Sequence, residues 1–160
     1  MTASSRYLLG CLFAFSTLFL AGCSDGLSPP PNLPSTVKVT GTATLDGKPL
    51  EGAVIRFAPI SDKGFHGASG VTDASGKYEL VTDIGNGQSR PGVIPGEYTI
   101  HVSRMVKPDG SLVPANSKEP PMMLGARDTI PLKYVTGKVN FRYTVAPEGG
   151  SFDLKLDSKE

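Results

Sequence analysis

The sequence predicts an all-β protein: one sandwich of seven short strands, preceded by an N-terminal leader and a proline-rich linker. Three observations predict it. After residue 36, apolar side chains recur at every second position, the period of a strand with one buried face. Glycine, proline, aspartate and asparagine separate these stretches, as expected for turns. No comparable stretch after the leader follows the 3.6-residue period of an amphipathic helix.

The leader is typical of a bacterial secretory signal. Residues 1–6 form a small polar region with the positive charges of the α-amine and Arg6, and residues 7–20 form an apolar stretch too short for an ordinary transmembrane helix. The stretch closes with Leu20-Ala21-Gly22-Cys23, which resembles the lipobox of bacterial lipoproteins. The resemblance implies that residues 1–22 are removed and that the Cys23 thiol is acylated, with palmitate among the expected chains. An ordinary signal peptide with a coincidental cysteine is the alternative.

The lipoprotein resemblance also implies a location. In such proteins an aspartate directly after the acylated cysteine commonly signals retention in the inner membrane. Here Ser24 holds that place and Asp25 follows it. We therefore expect a cell-envelope protein anchored to the outer membrane through its lipid. Cys11 leaves with the leader, so the mature domain is expected to fold without a disulfide.

The linker covers residues 23–36 and contains three consecutive prolines, at 29–31. Such a segment favours an extended polyproline II conformation and cannot form a helix. Within it, the twelve residues 24–35 would reach on the order of 35 Å if mostly extended, at ~3.1 Å per residue. We expect it to hold the domain away from the membrane.

The predicted domain spans residues 37–157. Within it, Tyr98 is expected to face the core and His101 to face the solvent, because they lie an odd number of positions apart in one strand. About 120 residues can build a single core without disulfides. The seven predicted strands lie within residues 37–45, 53–58, 70–72, 78–82, 98–102, 139–145 and 152–156.

Three motifs in this domain resemble carboxypeptidase regulatory-like domains of small bacterial lipoproteins. They are residues 41–57, with an Asp-Gly turn, residues 70–80, with a Ser-Gly turn, and residues 93–102, which contain Pro95-Gly96. Residues 130–134 and 150–156 are similar to the end of such lipoproteins. The resemblance implies a transthyretin-like (prealbumin-like) sandwich. It also implies an accessory module that binds, spaces or stabilises, since a fold of this kind does not by itself imply catalysis.

No catalytic, metal-binding or cofactor-binding residue is predicted. Neither His66 nor His101 has a glutamate three residues later, as the zinc ligands of a carboxypeptidase would require. Ser69 has Gly67 two positions earlier but Val71 two positions later, so it lacks the second glycine of a nucleophile elbow. Asp46 and Asp73 lie in turn sequences and lack the further acidic positions of a calcium loop.

Charge makes a nucleic-acid partner a poor expectation. The chain has 16 basic and 15 acidic residues, and loss of Arg6 with the leader balances them. Binding to phosphates needs a concentrated basic surface, which no run of lysine or arginine here supplies.

Residues 105–128 show no clear strand periodicity and exceed what a strand connection needs. The simpler interpretation is a solvated excursion whose methionines dock on the edge of the sandwich. The second is a contact surface in which Met105, Met122 and Met123 recognise a partner, because flexible methionines suit adaptable apolar recognition.

Together these features predict a non-enzymatic, membrane-anchored envelope lipoprotein that presents a β-sandwich for binding or structural association. The expected partner is another envelope protein or a carbohydrate. The chain has no tryptophan, and most of its aromatic residues alternate inward, so a protein partner ranks ahead. The alternative function is an enzyme or metal-binding protein whose site is assembled from separated residues.

Overall fold

A computed structural model describes residues 34–61, 67–85, 87–136 and 138–159. The leader, Cys23, most of the linker and His66 lie outside the described residues. Among the residues that are described, no helix is long and apolar enough to cross a membrane.

The described residues form mainly short strands. Two short helical turns accompany them, a 3-10 turn at Pro121–Leu124 and the helix α1 at Leu132–Val135. The strands are β1 Val39–Leu45, β2 Lys48–Pro49, β3 Val54–Pro59, β4 Ala68–Val71, β5 Lys77–Glu79, β6 Val81–Gly85, β7 Gln88–Pro91, β8 Gly96–Ser103, β9 Met105–Val106, β10 Arg127–Asp128, β11 Phe141–Val145, β12 Gly150–Ser151 and β13 Leu154–Leu156.

The strands form two main sheets, which confirms the all-β sandwich. The larger sheet has the order β11-β8-β3-β4-β6-β7 and is antiparallel. The smaller sheet is built around β1, which pairs antiparallel with β2 and β5 and parallel with β12 and β13. A separate two-stranded ribbon joins β9 to β10.

One hydrophobic core lies between the two sheets and takes side chains from both. Phe57 of β3 is fully buried, and its ring packs within about 6 Å of Tyr98, Tyr143 and Phe152. From the smaller sheet, Val39, Ala43, Tyr78, Leu154 and Leu156 join the same cluster. The prediction for β8 is confirmed, since Tyr98 is buried and His101 is exposed.

The structure contains more strands than the seven predicted from alternation. The additional strands are short: β2, β9, β10 and β12 have two residues each and β7 has four. A strand of two residues is too short to show an alternating pattern in the sequence. The pairing of such strands depends on neighbouring segments that the fold brings close. The strand predicted at residues 78–82 is divided into β5, which pairs with β1 in the smaller sheet, and β6, which pairs with β4 in the larger sheet.

Candidate functional site

The excursion, residues 105–128, is an ordered arm with internal pairing. Its ends form the β9–β10 ribbon, in which Met105 opposes Asp128 and Val106 opposes Arg127. Val106 also forms an isolated bridge with Leu112. The turn between them is closed by Asp109, whose carboxylate accepts hydrogen bonds from the Ser111 backbone N–H and hydroxyl at 2.9 and 2.7 Å. These contacts hold the excursion in a defined shape.

Two side chains fasten the base of the excursion to the sandwich. Arg104 donates from Nε to the Glu51 carbonyl at 2.7 Å and from a terminal nitrogen to Thr129 Oγ1 at 3.2 Å. Asp128 Oδ1 accepts from the backbone N–H groups of Arg104 and Ile130 at 3.0 and 2.9 Å. Hydrogen bonds of a guanidinium or a carboxylate are stronger than those between neutral groups. The bonds of Arg104 and Asp128 therefore fix the direction in which the excursion leaves the domain.

A third attachment is apolar. A Cβ atom placed on Gly52 would lie 2.5 Å from Leu112 Cδ1, so the leucine side chain rests on the bare backbone of the turn before β3. Any larger residue at position 52 would push Leu112 away. Gly52 also has a φ of 70°, which L residues rarely adopt. Close packing and conformation both require glycine here.

The tip of the excursion presents two methionines to the solvent. Pro121–Leu124 form the 3-10 turn, which Gly125 ends in the left-handed conformation. Met122 and Met123 are 88% and 82% exposed, whereas Met105 lies half-buried in β9. The expectation that the methionines dock on the sandwich is therefore wrong for Met122 and Met123. The short turn points both side chains outward, and no described element covers them.

Among the described residues, His101 and the turn aspartates are not brought together in a metal-binding group. His101 is exposed on the outer face of the larger sheet, and His66 lies outside the described residues. Asp73 Oδ1 accepts from the Ser75 N–H, the Ser75 hydroxyl and the Lys77 N–H at 2.7 to 2.9 Å. These bonds lower the pKa of Asp73, the serine hydroxyl contributing most. Within the described part of the chain, no group of three or more metal-binding side chains comes together.

An open cleft of about 550 Å³ lies against β1 and β5. Its lining includes Asp153, which accepts from the Thr42 hydroxyl and N–H at 2.7 and 2.8 Å. These two bonds lower the pKa of Asp153. Beneath the cleft, the Tyr78 hydroxyl donates to the Phe152 carbonyl, and burial raises the pKa of Tyr78. The hydrogen bonds of Asp153 and Tyr78 join β1 and β5 to the segment between β12 and β13, so these polar groups have a structural explanation.

Comparisons with known proteins place this chain in no family. No family model matches it, and no curated protein matches it. A DUF3823 family protein from Parabacteroides merdae aligns at a TM-score of 0.36 and 11% identity, over 79% of this chain and 46% of its own. A 9R-lipoxygenase from Cyanothece aligns at 0.36 and 17% identity, over 76% of this chain and 16% of its own. This chain thus spans less than half of either solved protein.

Proposed function

We propose that the mature protein is a non-enzymatic binding module of the bacterial cell envelope. In this proposal Cys23 carries the lipid that anchors it to the outer membrane, and residues 24–36 space the domain from the bilayer. The domain is a transthyretin-like sandwich of the carboxypeptidase regulatory-like kind. Its excursion recognises another envelope protein through Met122 and Met123. The exposure of these two methionines on a well-attached arm is the observation that supports the proposal.

Physical chemistry favours a contact role for this tip. A solvent-exposed methionine contributes little to folding, whereas burial of one against a partner contributes about 1.5–3 kcal/mol. Ordering a free loop on binding opposes association. The β9–β10 ribbon and the contacts of Arg104 and Asp128 have already ordered this arm. Methionine side chains then adapt to an irregular apolar surface.

Site-specific photo-crosslinking tests the contact. A photoreactive amino acid replaces Met123 in cells that express the whole chain, and Ser89, exposed on edge strand β7, serves as the matched control. We expect one discrete crosslinked protein from position 123 and none from position 89. The additional substitution Met122→Ser should reduce the yield of the crosslinked product from position 123. The same crosslinked species from both positions, or no reduction by Met122→Ser, would contradict a role for the tip.

The anchor has its own test. Replacing Cys23 with serine removes the thiol acceptor, so radiolabelled palmitate should no longer enter the protein and lipoprotein processing should fail. The acyl chains of a lipoprotein hold it firmly, at ~0.8 kcal/mol per buried methylene. The variant Cys11→Ser is the matched control and should label normally. Equal labelling of the wild type and Cys23→Ser would reject the lipoprotein assignment.

A further inference from the structure

The outer face of the larger sheet carries a row of donors. Arg56 of β3 lies directly opposite His101 of β8 and, on its other side, opposite Ser69 of β4. Side chains directly opposite in neighbouring antiparallel strands have Cβ atoms about 4.5–5.5 Å apart. Arg56 and His101 are both exposed, and Ser69 is half-buried. Three donor side chains therefore stand side by side across three strands.

The contacts that stabilise the domain do not explain this row of donor side chains. The acid–base contacts within the described ranges are Lys38–Glu79 and Lys133–Asp157, and neither includes Arg56. Its guanidinium carries five N–H donors, and no hydrogen bond to the described residues engages them. An arginine at the centre of a sheet face contributes little to the core below it. It is free to bind a group from outside.

Two shallow depressions flank Arg56, and their charges differ. The one towards β6, about 210 Å³, includes Asp83, whose carboxylate accepts from the Gly85 N–H at 2.8 Å. The one towards β8, about 450 Å³, is lined by Val54, Arg56, Ala58, His101, Val102 and Ser103, without any carboxylate. An anion would be repelled by Asp83 on the first side and attracted without opposition on the second.

The other charges on the outer face of the larger sheet also favour an anion in the depression towards β8. Arg142 of β11 lies opposite Thr99 and adds a second guanidinium beyond β8. Glu97 lies four residues from His101 in the same strand, about 13 Å away at the rise of a β-strand. Small side chains, Ala58, Thr99 and Ser103, leave room between the long ones.

We propose that the depression bounded by Arg56, His101 and Ser103 binds an oxyanion group, a carboxylate or phosphoryl group on a small ligand or a sugar acid. The planar guanidinium matches either group through two parallel hydrogen bonds. The imidazole offers an N–H in both protonation states, and the Ser103 hydroxyl adds a further donor. Val54 and Ala58 form apolar walls for the body of the ligand. This site is separate from the excursion tip, so either can fail without the other.

Three related sugars test the proposal: glucose, glucuronate and glucose 6-phosphate, which share a ring and differ in charge. The whole chain, purified in a non-ionic detergent, is titrated with each while amide NMR signals around His101 are followed. We expect saturable shifts with at least one of the two anions and none with glucose. Tighter binding of glucuronate would identify a carboxylate as the preferred group, and tighter binding of glucose 6-phosphate a phosphoryl group.

Charge-matched variants locate the site. Arg56→Gln should weaken binding of the preferred anion about tenfold or more, the loss expected for a charge-assisted hydrogen bond. Arg127→Gln, which removes an exposed arginine from β10, should leave it unchanged. Both substitutions are at exposed positions, and an unaltered amide spectrum elsewhere verifies that each variant is folded. Binding of neither anion, equal binding of glucose, or undiminished binding by Arg56→Gln would overturn the proposal.

Discussion

Replacement of Tyr98 measures how strongly the sandwich depends on one inward aromatic. Tyr98 is 3% exposed, and its ring centroid lies 5.8 Å from that of Phe57. Its hydroxyl donates to the Ile94 carbonyl at 2.7 Å, and burial raises the pKa of Tyr98. The side chain therefore contributes both apolar burial and one buried hydrogen bond.

The two contributions can be separated by two substitutions. Tyr98→Phe keeps the ring and removes the hydrogen bond, so we expect the free energy of unfolding to fall by about 1 kcal/mol. Tyr98→Ala also removes the ring and leaves a cavity beside Phe57, for a total loss of about 3–5 kcal/mol. In a domain of this size each kcal/mol lowers Tm by about 3–5 °C, so the alanine variant should melt roughly 10–25 °C lower.

Urea and thermal denaturation followed by circular dichroism measure these losses. His101→Ala is the control, because it lies three residues away on the outer face of the same strand. It should change stability by less than about 0.5 kcal/mol, as exposed substitutions do. Comparable losses from Tyr98→Ala and His101→Ala would refute the assignment of the two faces of β8.

Three further predictions concern other parts of the domain. Gly41→Ala should destabilise by about 1–3 kcal/mol, because its Cβ would lie 2.0 Å from the Phe152 carbonyl oxygen; an unchanged Tm would contradict this close approach. The lowered pKa of Asp153 contributes stability that is complete above its ordinary pKa of about 3.9 and is lost as pH falls below it. Asp153→Asn should therefore be less stable than the wild type at pH 7, and its stability should fall less as the pH is lowered. Urea midpoints of the wild type and the variant that fall in parallel from pH 7 to pH 3 would contradict this prediction. Met122→Ser and Met123→Ser should each change Tm by no more than about 2 °C, and a larger loss would show that the tip packs on the domain.

Local alternation was sufficient to predict the long strands. In β1, β3, β8 and β11, one face is buried against the opposite sheet and the other meets water, so the pattern of apolar residues records the orientation of each side chain. The Asp-Gly turn before β2 could be predicted for a similar reason. Gly47 has a φ of 77°, a conformation that glycine adopts without strain.

The sequence could not show how the excursion is held or where its methionines point. Sequence reasoning missed Arg104 and Asp128 because their hydrogen-bond partners are distant in the chain. Arg104 donates to the Glu51 carbonyl, and Asp128 accepts from the backbone N–H of Arg104. Neither belongs to a motif. The pairing of two-residue strands such as β9 and β10 likewise carries no periodic signal.

The sequence by itself determined the all-β class, the inward position of Tyr98 and the outward position of His101, because burial follows the period of a strand. Only the tertiary structure placed Arg56 opposite His101 and left Met122 and Met123 uncovered. Those features depend on strand register and on packing between segments distant in the chain. Such contacts form only when the whole chain folds, so no local pattern of residues encodes them.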